Sequence, residues 1–189
     1  MKVNILLSTY NGEQYLKEQV KSIQAQTYRD WQLLIRDDGS TDGTVEIIQE
    51  LVAQDEHIHF INQGAIENLG VIKSFHTLLK YEKADLYFFS DQDDVWENNK
   101  VSVMLHRMKV LEKGLGKQCP ILLYSDMEVV DEDLYEISPS FAAYTHQDPD
   151  RSSFAELLVE NQVTGGASMI NRALLTHCAM EPEICCMHD

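Results

Sequence analysis

The chain has 189 residues, of which 31 are acidic and 15 basic, giving a formal charge of −16; 44% are hydrophobic and 24% charged. This composition excludes a disordered chain and suits one domain with a single sizeable core. The charge excludes a general binder of nucleic acid or anionic lipid, which would need a basic face; residues 121–189 are the more acidic part, with 13 acidic and 2 basic side chains.

In chain order, Val3-Asn4-Ile5-Leu6-Leu7 reads as a strand closed by the turn Ser8–Gly12. Leu16, Val20 and Ile23 share one face of an amphipathic segment, predicting a helix over 13–26. Residues 32–36 form a second strand, ended by Asp37-Asp38-Gly39-Ser40-Thr41-Asp42-Gly43, and a helix follows over 44–54. A third strand is expected over 57–63, then the turn Asn68-Leu69-Gly70. Ile72, Phe75, Leu78 and Leu79 mark the inner face of a third helix, and residues 85–90 a fourth strand. A helix over 99–112, stopped by Gly114 and Gly116, precedes a fifth strand at 121–125 that ends at Asp126. Pro139 and Pro149 point to a long surface loop over 131–152. Short helices near 153–160 and 172–179 flank the stretch Val163–Ile170, to which no element type is assigned.

Alternating strands and helices predict an α/β fold with a mostly parallel sheet and helices on both faces. No apolar run reaches the roughly 18 residues that span a bilayer, and residues 1–7 are too short for a signal peptide, so a cytoplasmic chain is expected. Cys119, Cys178, Cys185 and Cys186 show neither a disulfide framework nor zinc-ribbon spacing and are read as reduced thiols. His177, Cys178, Cys185, Cys186 and His188 are read as packing residues rather than a metal cluster, and Trp31 and Trp96 as packing residues rather than sugar platforms.

In open parallel sheets ligands bind beyond the carboxyl ends of the strands, which selects Ser8–Gly12, Asp37–Asp42 and Asp91–Asp94. Asp91-Gln92-Asp93-Asp94 places three carboxylates within four residues, where they repel unless a cation sits among them. Hard oxygen ligands of this kind suit Mg²⁺ or Mn²⁺ shared with a substrate's phosphates. Two competing motifs fail. A calcium loop from Asp38 has Gln49 where the bidentate Glu belongs, and a phosphatase D-x-D-G-T pattern has Ser40 in place of its nucleophile.

Ser8-Thr9-Tyr10-Asn11-Gly12, Arg36-Asp37-Asp38-Gly39-Ser40-Thr41-Asp42, Asn68-Leu69-Gly70 and Ser90-Asp91-Gln92-Asp93-Asp94-Val95-Trp96 follow one another in the order found in glycosyltransferase family 2, which the chain resembles over nearly its whole length. The form of the last motif, with Val71–Phe75 and the closing Met187-His188-Asp189, resembles the bacterial rhamnosyltransferase branch. The resemblance implies a GT-A (Rossmann-like) fold and a single domain over 1–189. Residues 1–115 would be its nucleotide-sugar half and 116–189 an acceptor-side half left incomplete by a chain that stops inside its motif.

The implied activity is metal-dependent, inverting transfer of a sugar, rhamnose in that branch, from dTDP-rhamnose or a UDP-sugar. The implied acceptor is a saccharide or lipid-linked component of bacterial cell-wall or surface polysaccharide, handled in the cytoplasm or at the inner face of the plasma membrane. By the same resemblance Ser8, Tyr10 and Asp38 hold the nucleobase and ribose, Asp91 faces the ribose or sugar, and Asn68 and Lys73 line the diphosphate pocket. Asp93, in the DxD position, binds Mn²⁺ or Mg²⁺. Gly165-Gly166 floors the acceptor side, and Asp189 is the catalytic base, with Asp126 the next carboxylate to consider. The rival readings are a sugar-nucleotidyltransferase, which would need a basic loop after the first strand where Ser8–Gly12 has none, and a nucleotide-binding module without catalysis.

Overall fold

A computed structural model describes residues 1–148, 151 and 161–177. Its main sheet has six strands, in the spatial order Ile58–Phe60, Trp31–Asp37, Val3–Thr9, Leu86–Ser90, Ser168–Asn171 and Leu122–Tyr124. Strands β1 (Val3–Thr9), β2 (Trp31–Asp37), β3 (Ile58–Phe60) and β4 (Leu86–Ser90) run parallel, joined by helices α1 (Leu16–Gln24), α2 (Thr44–Gln54) and α3 (Val71–Tyr81). After α4 (Lys100–Leu115) come β5 (Leu122–Tyr124) and a separate hairpin, β6 (Val129–Val130) with β7 (Glu136–Ser138). Next are the one-turn helix α5 (Phe141–Tyr144), a 3-10 turn at Gly165–Ala167, β8 (Ser168–Asn171) and α6 (Arg172–Leu175).

Side chains alternate across a strand, so each central strand feeds two cores. Ile5, Leu7, Leu33, Ile35, Leu86 and Phe88 face α1, α2 and α4, burying Leu16, Val20, Ile23, Ile48, Val101, Met104 and Met108. Leu6, Leu34 and Tyr87 face the other way and pack with Phe75 and Leu78 of α3. Helices therefore cover both faces, as the alternation predicts.

Several boundaries differ from the sequence reading for identifiable reasons. The first helix begins at Leu16 because Gly12 accepts from both Tyr15 and Leu16, closing a turn ahead of it. The third strand is only three residues long. Beyond it the Asn62 carboxamide pairs with the Asp37 backbone instead, accepting from its N–H at 3.1 Å and donating to its carbonyl at 2.7 Å. Helix α4 runs through Gly114 and stops at Gly116, whose φ of +92° suits glycine. The loop expected over 131–152 holds the hairpin strand β7 and helix α5. The unassigned stretch 163–170 supplies β8, which runs antiparallel between β4 and β5 with every residue buried.

The helix expected near 153–160 and Cys178, Cys185, Cys186, His188 and Asp189 lie outside the described residues. Cys119 is a free thiol. Trp31 and Trp96 are both core residues, in agreement with their reading as packing. Among the described residues no helix is long and apolar enough to cross a membrane.

Candidate functional site

Because β1, β2 and β4 are parallel and in register, their carboxyl ends meet on one edge, with Thr9 opposite Asp37 and Leu7 opposite Ser90. Beyond that edge opens a cleft of about 450 Å³. Ser8, Thr9 and Tyr10 line it from β1, Asp38 from β2, Asn68, Gly70, Val71 and Phe75 from the approach to α3, and Asp91, Gln92 and Asp93 from β4. Six of the residues expected in the site, Ser8, Tyr10, Asp38, Asn68, Asp91 and Asp93, thus share one wall. Lys73 is not among the lining residues; it is exposed on α3.

The two aspartates after β2 do different work. Asp37 shapes the turn, accepting from Gly39 N at 3.0 Å, Ser40 N at 2.8 Å and Thr9 Oγ1 at 3.0 Å. Gly39 has a φ of +87° and lies against Asn68, so glycine is needed there. Asp38 is 5% exposed and paired with Arg36, itself 2% exposed, at 2.6 Å. Its carboxylate also accepts from the N–H groups of Leu69 and Gly70 at 2.7 and 2.9 Å, and Asn68 Nδ2 donates to its carbonyl at 2.8 Å. Arg36 extends the network to Ser74 Oγ and the Glu67 carbonyl. Ser8 in turn shares a hydrogen bond with Ser74.

The acidic segment after β4 separates into two groups. Asp91 and Asp93 line the cleft, whereas Asp94 turns toward Gly166 and the ammonium of Lys100. A Cβ on Gly166 would lie 2.6 Å from Asp91 Oδ2 and 2.7 Å from Asp94 Oδ2, so only glycine lets this turn approach both carboxylates. Lys100 Nζ donates to the Gly166 carbonyl at 2.9 Å and stands 4.2 Å from the centre of the Trp96 ring. Burial, reinforced by the charges of Asp91 and Asp93 and opposed by Lys100, pushes the Asp94 carboxyl up to about 6. Burial pulls Lys100 down to about 8 against the attraction of Asp94 and Asp91. The mutual repulsion expected of the three aspartates is therefore relieved in part by a cation the protein already carries.

Buried Gln19 supports the same loop. With its carboxamide oxygen toward Ser90 Oγ (2.7 Å) and Trp96 Nε1 (3.2 Å), its NH₂ donates to the Asp94 carbonyl at 2.8 Å. Neither Gln19 nor Lys100 was singled out from the sequence. Lys100 did carry a signal, since a lysine opening a helix opposes the macrodipole and calls for another partner.

Among the described residues no three His, Cys, Asp or Glu side chains converge as a ready metal cage. What the cleft offers is the pair of carboxylates on Asp91 and Asp93, a donor set that fits a hard divalent ion completed by phosphate oxygens and water. Asp126, just after β5, is exposed and accepts hydrogen bonds from Met127 N and Ala142 N at 2.9 and 3.2 Å. Burial raises its pKa, but hydrogen bonds from Ser140 and from the backbone of Met127, Ala142 and Phe141 outweigh that and hold it below the usual carboxylate range.

Known proteins give this edge a context. The chain is 39% identical over 98 residues to the dTDP-rhamnosyl transferase RfbG of Shigella flexneri, an alignment covering 50% of the chain and 34% of the relative. It is 26% identical over 173 residues to the Escherichia coli UDP-Glc:alpha-D-GlcNAc-diphosphoundecaprenol beta-1,3-glucosyltransferase WfgD, covering 92% of the chain and 61% of the relative. The chain thus spans about a third and three fifths of these curated relatives' lengths. A crystal structure of S. aureus TarS in complex with UDP-GlcNAc superposes with a TM-score of 0.56 at 22% identity, covering 69% of this chain and 36% of that one, which shows a GT-A fold. The profile of Glycosyl transferase family 2 matches residues 4–146, a span that carries all three cleft-forming strand ends, and the chain belongs to that family.

Proposed function

We propose that the chain carries the donor site of a metal-dependent, inverting glycosyltransferase. It would move a sugar, rhamnose or another hexose, from a nucleoside diphosphate to a saccharide or lipid-linked acceptor of a bacterial surface polysaccharide, working in the cytoplasm or against the inner face of the plasma membrane. One observation carries this reading: among the described residues the cleft is lined by Asp38, Asp91 and Asp93 and by no Lys, Arg or His. An anionic donor entering such a cleft needs a cation brought with it. The relatives' names, one a dTDP-rhamnosyl transferase and one a UDP-glucosyltransferase, support this donor class and leave both dTDP and UDP as candidates.

In this reading Tyr10 stacks on the nucleobase, Asp38 and Ser8 hold the base and ribose, and Asp91 faces the ribose or sugar. Asn68 stands at the diphosphate, and Asp93 would hold Mn²⁺ or Mg²⁺. When bound, that ion supplies positive charge to the departing diphosphate. The loops at the three strand ends hold the donor so that the acceptor hydroxyl can approach the anomeric carbon from the opposite face. Asp189 takes the proton of that hydroxyl. A sugar-nucleotidyltransferase is disfavoured because the loop after β1, Ser8-Thr9-Tyr10-Asn11-Gly12, carries no basic side chain to meet a triphosphate.

Titration calorimetry of UDP and dTDP, in Mn²⁺ and in EDTA, tests the proposal. Wild-type protein should bind one of them at least about tenfold more tightly in Mn²⁺, and Asp93→Asn should remove that gain. Equal affinity in Mn²⁺ and EDTA would rule out the metal, and no binding of either nucleotide would rule out the donor site.

A further inference from the structure

Gln92, the residue between Asp91 and Asp93, has no part in the reading above, yet it makes a two-point contact inside the cleft. Its carboxamide oxygen accepts from the Tyr10 backbone N–H at 2.9 Å, and its NH₂ donates to the Tyr10 carbonyl at 3.1 Å. An amide that engages both backbone groups of one residue reproduces a strand pairing. The β1–β4 ladder itself ends at Leu7 and Ser90, so Gln92 carries the connection past the end of the sheet to the turn that presents Tyr10.

Gly12 leaves room for this contact. A Cβ there would lie 2.3 Å from Gln92 Oε1 and 2.7 Å from its Cδ. Gly12 is not among the residues with positive φ, so its backbone is open to alanine, and a methyl group there would have to push the end of the Gln92 side chain aside. On the opposite flank of the same turn, Asn11 N donates to Ser40 Oγ at 2.9 Å, and Asn11 Oδ1 accepts from Thr41 N at 2.8 Å. Tyr10, 51% exposed, is thus tied toward β2 through its neighbour and toward β4 through Gln92 alone among the contacts described.

We propose that Gln92 is a positioning residue for the donor: by clamping the Tyr10 backbone to the loop that bears Asp91 and Asp93, it sets where the aromatic ring stands relative to those carboxylates. The inference rests on the donor-site reading. It assigns Gln92 no contact of its own with the nucleotide; its effect passes through the Tyr10 ring. Gly12 belongs to the same device, because it keeps the amide in place.

The test is a set of calorimetric titrations with UDP and dTDP in saturating Mn²⁺, using wild type, Gln92→Met, Gly12→Ala, Tyr10→Ala and the Tyr10→Ala/Gln92→Met double variant, with melting temperatures measured in parallel. Gln92→Met keeps the side-chain length and loses both hydrogen bonds, while Gly12→Ala leaves Gln92 chemically intact and displaces it. Each should weaken nucleotide binding by about tenfold with little change in melting temperature. In the Tyr10→Ala background, Gln92→Met should cause no further loss, because no ring remains to be positioned. Wild-type affinity in Gln92→Met, or an undiminished effect of Gln92→Met without the Tyr10 ring, would overturn the assignment while leaving the donor site standing. Failure of the wild type to bind either nucleotide would overturn both.

Discussion

Lys100, the first residue of α4, donates its ammonium proton to the carbonyl of Gly166 at 2.9 Å, joining the helix after β4 to the turn before β8. The same ammonium, half-buried, attracts the carboxylates of Asp94 and Asp91. Lys100→Met should therefore take the Gly166 carbonyl's partner away and remove a positive charge that attracts both carboxylates. We expect a loss of about 1 to 3 kcal/mol, read as a lower urea midpoint. An unchanged midpoint would mean that the contact is incidental.

Asp38 serves the fold as well as the cleft, and its removal should be costly. Asp38→Ala leaves the Arg36 guanidinium buried without its carboxylate and frees the N–H groups of Leu69 and Gly70. The expected destabilisation is about 3 kcal/mol or more. Nucleoside binding should fall even in EDTA, because the role proposed for Asp38 is to hold the base and ribose. Urea denaturation together with uridine and thymidine titrations checks both parts; unchanged nucleoside affinity would move the base pocket elsewhere.

On the proposal that Asp189 is the base, Asp189→Asn should abolish sugar transfer while UDP or dTDP affinity stays within about twofold of wild type, since a base acts on the acceptor and not on the nucleotide. A transfer assay paired with calorimetry separates the two. Near wild-type turnover would place the base on another residue, with Asp126 the next carboxylate to substitute.

Asp55, at the end of α2, gives a pH-dependent contribution to stability. Burial raises its pKa, but hydrogen bonds from Gln24 and His57 outweigh that and hold the carboxyl below its ordinary value. A depressed carboxylate stabilises the fold above its unfolded pKa, near 3.9, and loses that contribution as pH falls through the lower folded value. Asp55→Asn should therefore lower the melting temperature by a few degrees at pH 7, with the gap from wild type closing below about pH 4. A gap that persists at pH 3 would assign the effect to something other than ionisation.

The parallel half of the sheet was legible because local signals agree there. Ile5, Leu6 and Leu7 are apolar on both sides of a strand, which is what a sheet covered on both faces requires, and each strand is followed within a few residues by an amphipathic helix. The site followed from that order, since polar turns after parallel strands fall on one edge. Strand β8 was not legible. Its partners, Phe88 and Leu123, are remote in sequence, and Gly165-Gly166 just before it looks like a loop. Lys73 was placed at the site by its neighbours in sequence, yet on α3 it points from the exposed side while Ser74 and Phe75 turn inward. Gln92 and Gln19 act through amide hydrogen bonds to backbone and side chains across the fold, and such pairings leave no periodic trace in a sequence.

The late arrival of β8 bears on how this protein is made. Strands β1 to β4 can pair as they leave the ribosome, but β4 then presents an unpaired apolar edge until Ser168–Asn171 emerges to cover it, and β5 has no partner before that moment. An open edge of that kind invites pairing with another nascent chain. Synthesis that halts, or proteolysis that cuts, between Tyr124 and Ser168 would release a product whose cleft-lining loops are all present and whose exposed β4 edge makes it prone to aggregate.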